Sequence, residues 1–377
     1  MVTRSREILQ GEVVDPHSES VPLVVDLDGT LLRTDLLVES ALHLIKQKPW
    51  FALLMPLWLL RGRAYLKHRI FRLVKLDASL LPPHEEVLAW LKDEKTRGRR
   101  LVLATASDYH QACSVVEPLR LFDAVLGSDG QRNLKGRNKL HTILAVCGKE
   151  FDYVGNSRSD LEIWRNCRHA ILVNTSPRVE RLAWRAGNVV RVFPPSRTGF
   201  RDALRSMRFH QWVKNLLLFA PAIASHTIFD GAVARATTLA FFSFGFAAST
   251  AYILNDLLDL EEDRRHPVKK QRPFASGRTF IGSGILLALA SLSASAAIAT
   301  LVPRAFIGAL IAYLVLTSLY SLFLKRFPVI DVLVLALLYT LRVIAGHLAT
   351  GIPFSLWVLS CAFFLFLILA YGKRDQI

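Results

Sequence analysis

The sequence predicts two joined domains of different class: an α/β domain carrying a helical cap, then an all-α bundle of about six membrane helices. Two patterns and the composition carry this. Near the N-terminus the apolar run Leu23-Val24-Val25 ends in Asp26 and Asp28, and further short strand-like runs follow at 100–107, 151–160, 170–174 and 189–193. After residue 210 the apolar runs lengthen to near the ~20 residues that a bilayer requires, at about 212–228, 237–254, 280–302, 305–324, 329–349 and 353–370. Hydrophobic residues reach 52 % and mean hydropathy is +0.31, yet 21 % of residues are charged, a mixture that excludes a purely soluble or a purely membrane chain.

The elements follow in order. Residues 1–20 read as a polar tail without the apolar core of a cleavable signal peptide. Residues 21–195 form the α/β domain, with its cap at about 35–83. Inside the cap, the stretch from Trp50 to Leu60 is apolar, broken by Pro56 and flanked by Lys46, Lys48, Arg61 and Arg63. It is too short to span a bilayer; it reads as a helix lying at the membrane interface, with a buried cap helix as the alternative. Pro194, Pro195, Ser196 and Gly199 open a basic linker at 196–210, and residues 211–377 are the membrane domain.

The formal net charge is +16. The bases lie largely beside apolar spans, where anionic headgroups account for them, and no RNA-binding motif or Cys/His finger appears; nucleic acid is not expected as a partner. Cys113, Cys147, Cys167 and Cys361 are scattered, which argues against a disulfide framework and a zinc site.

Two aspartates two apart at a strand end, followed by Gly29 and Thr30, place one side chain as a nucleophile and the next as acid/base. This Asp26-Leu27-Asp28-Gly29-Thr30-Leu31 run resembles the first motif of the haloacid dehalogenase (HAD) superfamily of phosphatases, which implies a Rossmann-like domain. The resemblance continues in order. Thr105 would bond the phosphoryl group, Lys139 would neutralise its charge, and Gly155-Asn156 with Asp160 would complete a Mg²⁺ site with Asp26 and Asp28. Asn156 departs from the pattern: an amide oxygen can bind a hard cation but brings no charge. Weak phosphatase activity and a scaffold that has lost catalysis both remain open.

In the second half, Asn255, Asp256, Asp259 and Asp263 lie between two apolar spans, followed by Lys269, Lys270 and Arg272. On one continuous helix these side chains share a face, and such a cluster calls for a divalent cation such as Mg²⁺. The adjacent bases suit phosphate oxygens. A solvated acidic loop balanced by its bases is the plain alternative. The stretch resembles the first aspartate-rich motif of the UbiA superfamily of intramembrane prenyltransferases. The lead-in from Arg208 to Asn215, with Gln211, Trp212, Lys214 and Asn215, is most similar to its polyprenyl-phosphate phosphoribosyltransferase branch, although Phe209 stands where proline is expected. Arg272 to Gly277, Leu324 to Val332 with Lys325, and Leu341 to Gly346 with Arg342 fit the same branch.

That resemblance implies Mg²⁺ held by Asn255, Asp256, Asp259 and Asp263, with Lys214, Asn215, Lys270, Arg272, Lys325 and Arg342 binding substrate. The phosphoribosyl branch would transfer phosphoribose from phosphoribosyl diphosphate to a polyprenyl phosphate. The prenyl branch would take a polyprenyl diphosphate and an aromatic acceptor. Family members continue into further membrane helices and a second acidic motif, whose opening the run Lys373-Arg374-Asp375 resembles. The last three helices of that pattern are therefore expected to be absent, leaving a truncated product, a frameshift or a fragment, and an inactive one among the possibilities. Arg342 sits within an apolar span, where an arginine faces a polar cavity or serves packing alone. Alternation of basic and neutral loops predicts a multi-pass protein of the inner (plasma) membrane with a cytoplasmic α/β domain. The acceptor, the prenyl length and the oligomeric state are not legible.

Overall fold

The computed structural model describes residues 21–129, 132–195 and 199–374. The tail at 1–20, Ser196 of the linker and the expected motif opening at Asp375 lie outside them. The chain divides into two compact units, Met1–Arg197 and Thr198–Ile377.

The first unit is built on a six-stranded sheet in the order β3-β2-β1-β4-β5-β6. Strand β1 (Leu23–Val25) is followed by α1 (Leu36–Gln47), α2 (Phe51–Leu60), α3 (Arg63–Leu73) and α4 (Glu85–Thr96). Then come β2 (Leu101–Asp108), α5 (Tyr109–Val116), β3 (Ala124–Ser128), α6 (Arg137–Cys147), β4 (Asp152–Gly155), α7 (Leu161–Trp164), β5 (Ala170–Val173), α8 (Pro177–Trp184) and β6 (Val189–Phe193). Every strand pair is parallel. β1 is only three residues long, but it is central and covered on both faces. Leu23 and Val25 enter one apolar cluster, and Val24 enters the other with Phe151, Tyr153 and Trp164. The order reverses between β1 and β4, and in open parallel sheets such a reversal leaves a crevice at the carboxyl ends of the strands. Sequence reasoning missed β3. Its Ala-Val-Leu-Gly-Ser is half-buried at the sheet edge and holds a single β-branched residue.

At the opposite, amino-terminal edge, Asp152 fastens three strands. It takes a bidentate fork from Arg168 (2.8 and 2.9 Å), the backbone N–H of His169 (3.1 Å) and the guanidinium of Arg99. Burial opposes the charge, but Arg168 and Arg99 outweigh it and hold the carboxyl below the usual carboxylate range.

The second unit begins with α9 (Gly199–Met207), so most of the expected linker is helical. A 3₁₀ helix (Phe209–Phe219) leads to α10 (Ala220–Ala224), α11 (Gly231–Leu258), α12 (Leu260–Arg265), α13 (Ile281–Ala299), α14 (Arg304–Leu322), α15 (Pro328–Thr350) and α16 (Leu356–Arg374). Among the described residues, four helices are long and apolar enough to cross a membrane: Gly231–Leu258, Ile281–Ala299, Arg304–Leu322 and Val329–Thr350. Leu356–Gly372 is a shorter apolar helix. The first expected span, 212–228, is therefore corrected to a 3₁₀ segment and one short α-helix. Pro221 has no N–H, and its ring excludes the carbonyl four residues back, so one α-ladder cannot run through it.

Small residues let these helices approach. A Cβ on Gly245 of α11 would lie 2.7 Å from the Trp212 ring, whose Nε1 donates to Ser249 Oγ at 3.0 Å. Ser243 and Ser295 exchange hydroxyl-to-carbonyl bonds of 2.9 and 2.8 Å between α11 and α13. A Cβ on Gly346 of α15 would meet the Leu218 carbonyl oxygen at 2.3 Å.

Two outcomes follow. Asp152→Asn should destabilise the first unit by about 2 kcal/mol at neutral pH, because a charge-assisted network is lost. Since the folded carboxyl titrates below its ordinary 3.8, that contribution is present above about pH 4 and lost as pH falls through the folded value. Denaturant melts from pH 7 to pH 3 should thus show wild type and variant converging in acid. In the second unit, Gly346→Ala should cost about 1–3 kcal/mol of stability by overpacking, read as a lower thermal midpoint in detergent, since backbone cannot step aside. Gly308→Ala, with no atom within 4 Å of the new Cβ, should be neutral or better in the same melt.

Candidate functional site

In the second unit the acidic stretch does not form one helical face. α11 ends at Leu258, and Asp259 (φ −94°, ψ 16°) is the junction into α12. Backbone bonds still link the turn, from Asp259 N to Asn255 O (2.9 Å) and from Asp263 N to Asp259 O (2.8 Å). Arg208, Arg272 and Lys325 stand among the carboxylates, with Arg272 shared between two of them. Arg208 reaches Asp256 Oδ1 at 2.5 Å, and Arg272 Nη1 lies 3.1 Å from the same oxygen and 2.7 Å from Asp263 Oδ2. Lys325 bonds both oxygens of Asp259 at 3.0 Å. Asp256 and Asp263 are buried, whereas Asn255 and Asp259 are partly open and Lys270 is exposed. Burial pushes the Asp263 carboxyl up, and Arg272 opposes the shift.

Arg208 was not singled out as a site residue by its sequence position. Its φ of 50° at the start of the 3₁₀ helix and its place over the Tyr252 ring (5.4 Å) aim it back at α11. It is one of several arginines in the basic stretch before the first apolar run, and a positive-inside flank gives the same pattern.

A second polar layer lies deeper. Arg342 of α15 is buried; its Nε donates to Asn215 Oδ1 (3.0 Å) and its Nη1 to the Leu338 carbonyl (2.5 Å). Its guanidinium lies 5.0 Å from the Tyr313 ring centre and 5.4 Å from that of Tyr339, and Lys214 stands 5.8 Å from Tyr339. Asp331 instead accepts from Tyr320 at 2.7 Å. Asn215 Nδ2 is buried without a hydrogen-bond partner, so it is a donor left for something else.

Among the described residues, no group of three or more His, Cys, Asp or Glu is gathered closely enough to hold a metal ion. The acids instead carry four ion pairs: Arg208–Asp256, Arg272–Asp256, Arg272–Asp263 and Lys325–Asp259. The donors of Asp256, Asp259 and Asp263 are all hard oxygens and suit Mg²⁺ chemically, and Arg272 already sets one positive charge between two of them.

The first unit holds the other expected cluster at the carboxyl end of β1. Lys139 Nζ lies 2.7 Å from Asp26 Oδ1 and 3.1 Å from the Tyr153 hydroxyl, which donates to Asp160 Oδ1 (3.0 Å). Asp28 accepts from Leu36 N (2.9 Å), Ser107 Oγ (2.6 Å) and Thr105 Oγ1 (3.3 Å). Asp160 Oδ2 takes Asn156 N, Ser157 N and Ser157 Oγ within 3.2 Å. Asn156 turns its Nδ2, a donor, on the Asp28 carbonyl at 3.2 Å. Burial pushes Asp26 up to about 7 against the pull of Lys139. It works against charge on Lys139 too, but Asp26 and Asp160 outweigh it and hold the amine up. These residues are brought together, but among the described residues no three acids, histidines or cysteines gather as a metal cluster, and Asp160 already accepts four donor bonds. Ser107 and Tyr153 were missed, since neither stands at a motif position.

Residues 216–375 match the UbiA prenyltransferase family. The uncharacterized protein y4nM of Sinorhizobium fredii is 35 % identical over 363 residues, which are 96 % of this chain and 70 % of that one. Decaprenyl-phosphate phosphoribosyltransferase of Corynebacterium glutamicum is 35 % identical over 175 residues, 45 % of this chain; the chain thus spans about half (53 %) of that relative. A solved UbiA homologue from Archaeoglobus fulgidus, bound to DMAPP and Mg²⁺, aligns with 26 % identity and a TM-score of 0.39, over 44 % of this chain and 60 % of that one. With its several long apolar helices the protein is a multi-pass membrane protein, and through its C-terminal half it belongs to the UbiA prenyltransferase family.

Proposed function

We propose that the membrane half serves Mg²⁺-dependent transfer of phosphoribose from phosphoribosyl diphosphate to a polyprenyl phosphate. The observation that carries this reading is that Arg208, Arg272 and Lys325, from three separate segments, meet Asp256, Asp259 and Asp263 around the end of a membrane-length helix. The similarity to decaprenyl-phosphate phosphoribosyltransferases over 45 % of the chain supports it. The aromatic-acceptor alternative uses the same site with the diphosphate on the lipid.

Asn255, Asp256, Asp259 and Asp263 would hold Mg²⁺, which when bound offsets diphosphate charge. Arg208, Arg272 and Lys325 exchange carboxylate partners for phosphate oxygens, and exposed Lys270 adds charge at the loop. Arg forks match phosphate geometry and stabilise a departing diphosphate better than a dispersed charge does. Deeper in the unit, Asn215 Nδ2 offers a free donor, and Arg342 holds Asn215 by its oxygen so that the amide points one way. Lys214 stands beside this layer. The attacking group is the polyprenyl phosphate oxygen, and the bond broken is that between the anomeric carbon and the diphosphate. The loop bearing these bases, like the first unit, faces the cytoplasm in this reading.

For the first unit, the hydrogen bonds favour a scaffold over a Mg²⁺-dependent phosphatase, because the acids are already engaged by Lys139, Tyr153, Ser107 and the Asn156 backbone N–H.

Membranes containing the chain, supplied with labelled phosphoribosyl diphosphate and polyprenyl phosphate, test the first reading. Label should pass to lipid only with Mg²⁺, and Asp256→Ala or Asp259→Ala should cut the rate at least about 100-fold. Wild-type rates in both variants would sink the assignment, and label-free prenylation of an aromatic acceptor would select the alternative. For the first unit, a panel of sugar phosphates titrated with Mg²⁺ should give no stimulated hydrolysis by the wild-type chain. Stimulated turnover that Asp26→Asn abolishes would restore the phosphatase, because an amide cannot act as its nucleophile.

A further inference from the structure

Helix α2 of the first unit is apolar on every side, yet only one side is covered. Phe51, Met55 and Trp58 recur at helical spacing and pack into a small cluster with Leu44, Ile70 and Val74. On the other side Trp50, Leu53, Leu57 and Leu60 follow the i, i+3, i+7, i+10 pattern and are 57, 78, 56 and 84 % exposed. Leu54 and Leu59 widen that surface. A helix with apolar residues all round belongs in a core or a membrane, and here the fold of its own unit fills only a third of the circumference.

The charge around the helix says what completes it. Between Ser40 and Leu76 the sequence has eight Lys or Arg and no Asp or Glu. Lys48 precedes the helix and Arg61 and Arg63 follow it, all three exposed. Arg61 folds over Tyr65 (Nη1 to hydroxyl, 3.3 Å) and Arg69 over Trp58 (5.4 Å), so basic heads and aromatic rings alternate along the rim. An apolar stripe bordered by bases and tryptophan is the signature of a helix lying in a bilayer interface, its apolar face ~5–10 Å below the headgroups. A second copy of the same surface would set these bases against one another without compensation. A bilayer is also at hand by covalent continuity, because the chain carries membrane-length helices from Gly231 onward.

We infer that α2 docks the first unit onto an anionic membrane surface, with Trp50, Leu53, Leu57 and Leu60 in the lipid and Lys48, Arg61 and Arg63 on acidic headgroups. The consequence reaches the polar centre. The neighbouring helix α3 sends Lys67 to the Ala106 carbonyl (2.8 Å) at the carboxyl end of β2, so the docking helix and that sheet edge are mechanically joined. The inference stands apart from the transferase reading and from any phosphatase reading.

The full chain, reconstituted into vesicles of phosphatidylcholine with or without phosphatidylglycerol, gives the test. An environment-sensitive fluorophore is placed on Leu53→Cys, or on Arg178→Cys of α8 as an exposed polar control, with Cys113, Cys147, Cys167 and Cys361 replaced. With phosphatidylglycerol present, nitroxide lipids should quench the probe at 53 severalfold more than the control, and aqueous iodide should quench it severalfold less. Lys48→Gln, Arg61→Gln and Arg63→Gln together should abolish the dependence on phosphatidylglycerol. A benzophenone amino acid in place of Leu53, in an otherwise native chain, is the second measurement and should yield phospholipid adducts. Iodide access equal to the control would overturn the inference. So would shielding from both quenchers with crosslinks to protein alone, since protein would then cover the face.

Discussion

The guanidinium of Arg272 lies between Asp256 and Asp263, and the second half of the chain is arranged around that contact. Acids at the end of a membrane-length helix are expensive to bury, and each removed from water needs a counter-charge nearby. Arg208 shares Asp256 from in front of the 3₁₀ segment, and Lys325 takes Asp259 from the turn before α15. The same pairings therefore set the direction of α12, the return of the basic loop and the position of the Arg208 backbone. The Trp212 ring, seated on Gly245 and bonded to Ser249, keeps the segment after Arg208 against α11. Ser249 in turn donates to the Met207 carbonyl at 2.7 Å, which fixes the residue just before Arg208.

Much of this was readable in the sequence where local physics dominates. Leu23-Val24-Val25 had to be a buried strand, because three branched apolar residues running into Asp26 suit a strand covered on both faces. Asp26 and Asp28 then fell at its carboxyl end beside Thr105 and Lys139, as their order along the chain implied. Four of the six expected apolar spans appear as helices of membrane length. What stayed hidden depends on distant partners. Periodicity extended one helix through Asp259, but burying Leu257, Leu260 and Asp263 together with Arg272 requires the chain to turn after Leu258. Nothing near Arg208 tells that Asp256, 48 positions on, will be its partner. The orphan donor on Asn215 exists only because Arg342, 127 residues away, claims its oxygen.

The two polar centres solve one problem in two ways. In the first unit, Lys139 and the Asn156 amide supply positive charge and donors, Asp26 and Asp160 are buried, and Asp28 is partly buried. In the second unit the counter-charges sit on long side chains at segment ends, with Arg272 and Lys325 each about a third exposed. The Lys325–Asp259 pair is the more open of these, whereas Asp256 and Asp263 are buried and keep a counter-charge only as long as Arg208 and Arg272, or a cation in their place, stay beside them. In the proposed transfer, a diphosphate would offer Arg208, Arg272 and Lys325 more acceptors than the carboxylates do, and the carboxylates so released would be hard-oxygen donors for a divalent cation, so that binding would be an exchange of partners. On the proposed function, the second unit would be the half that accepts the anionic substrate, and the first would serve as its scaffold.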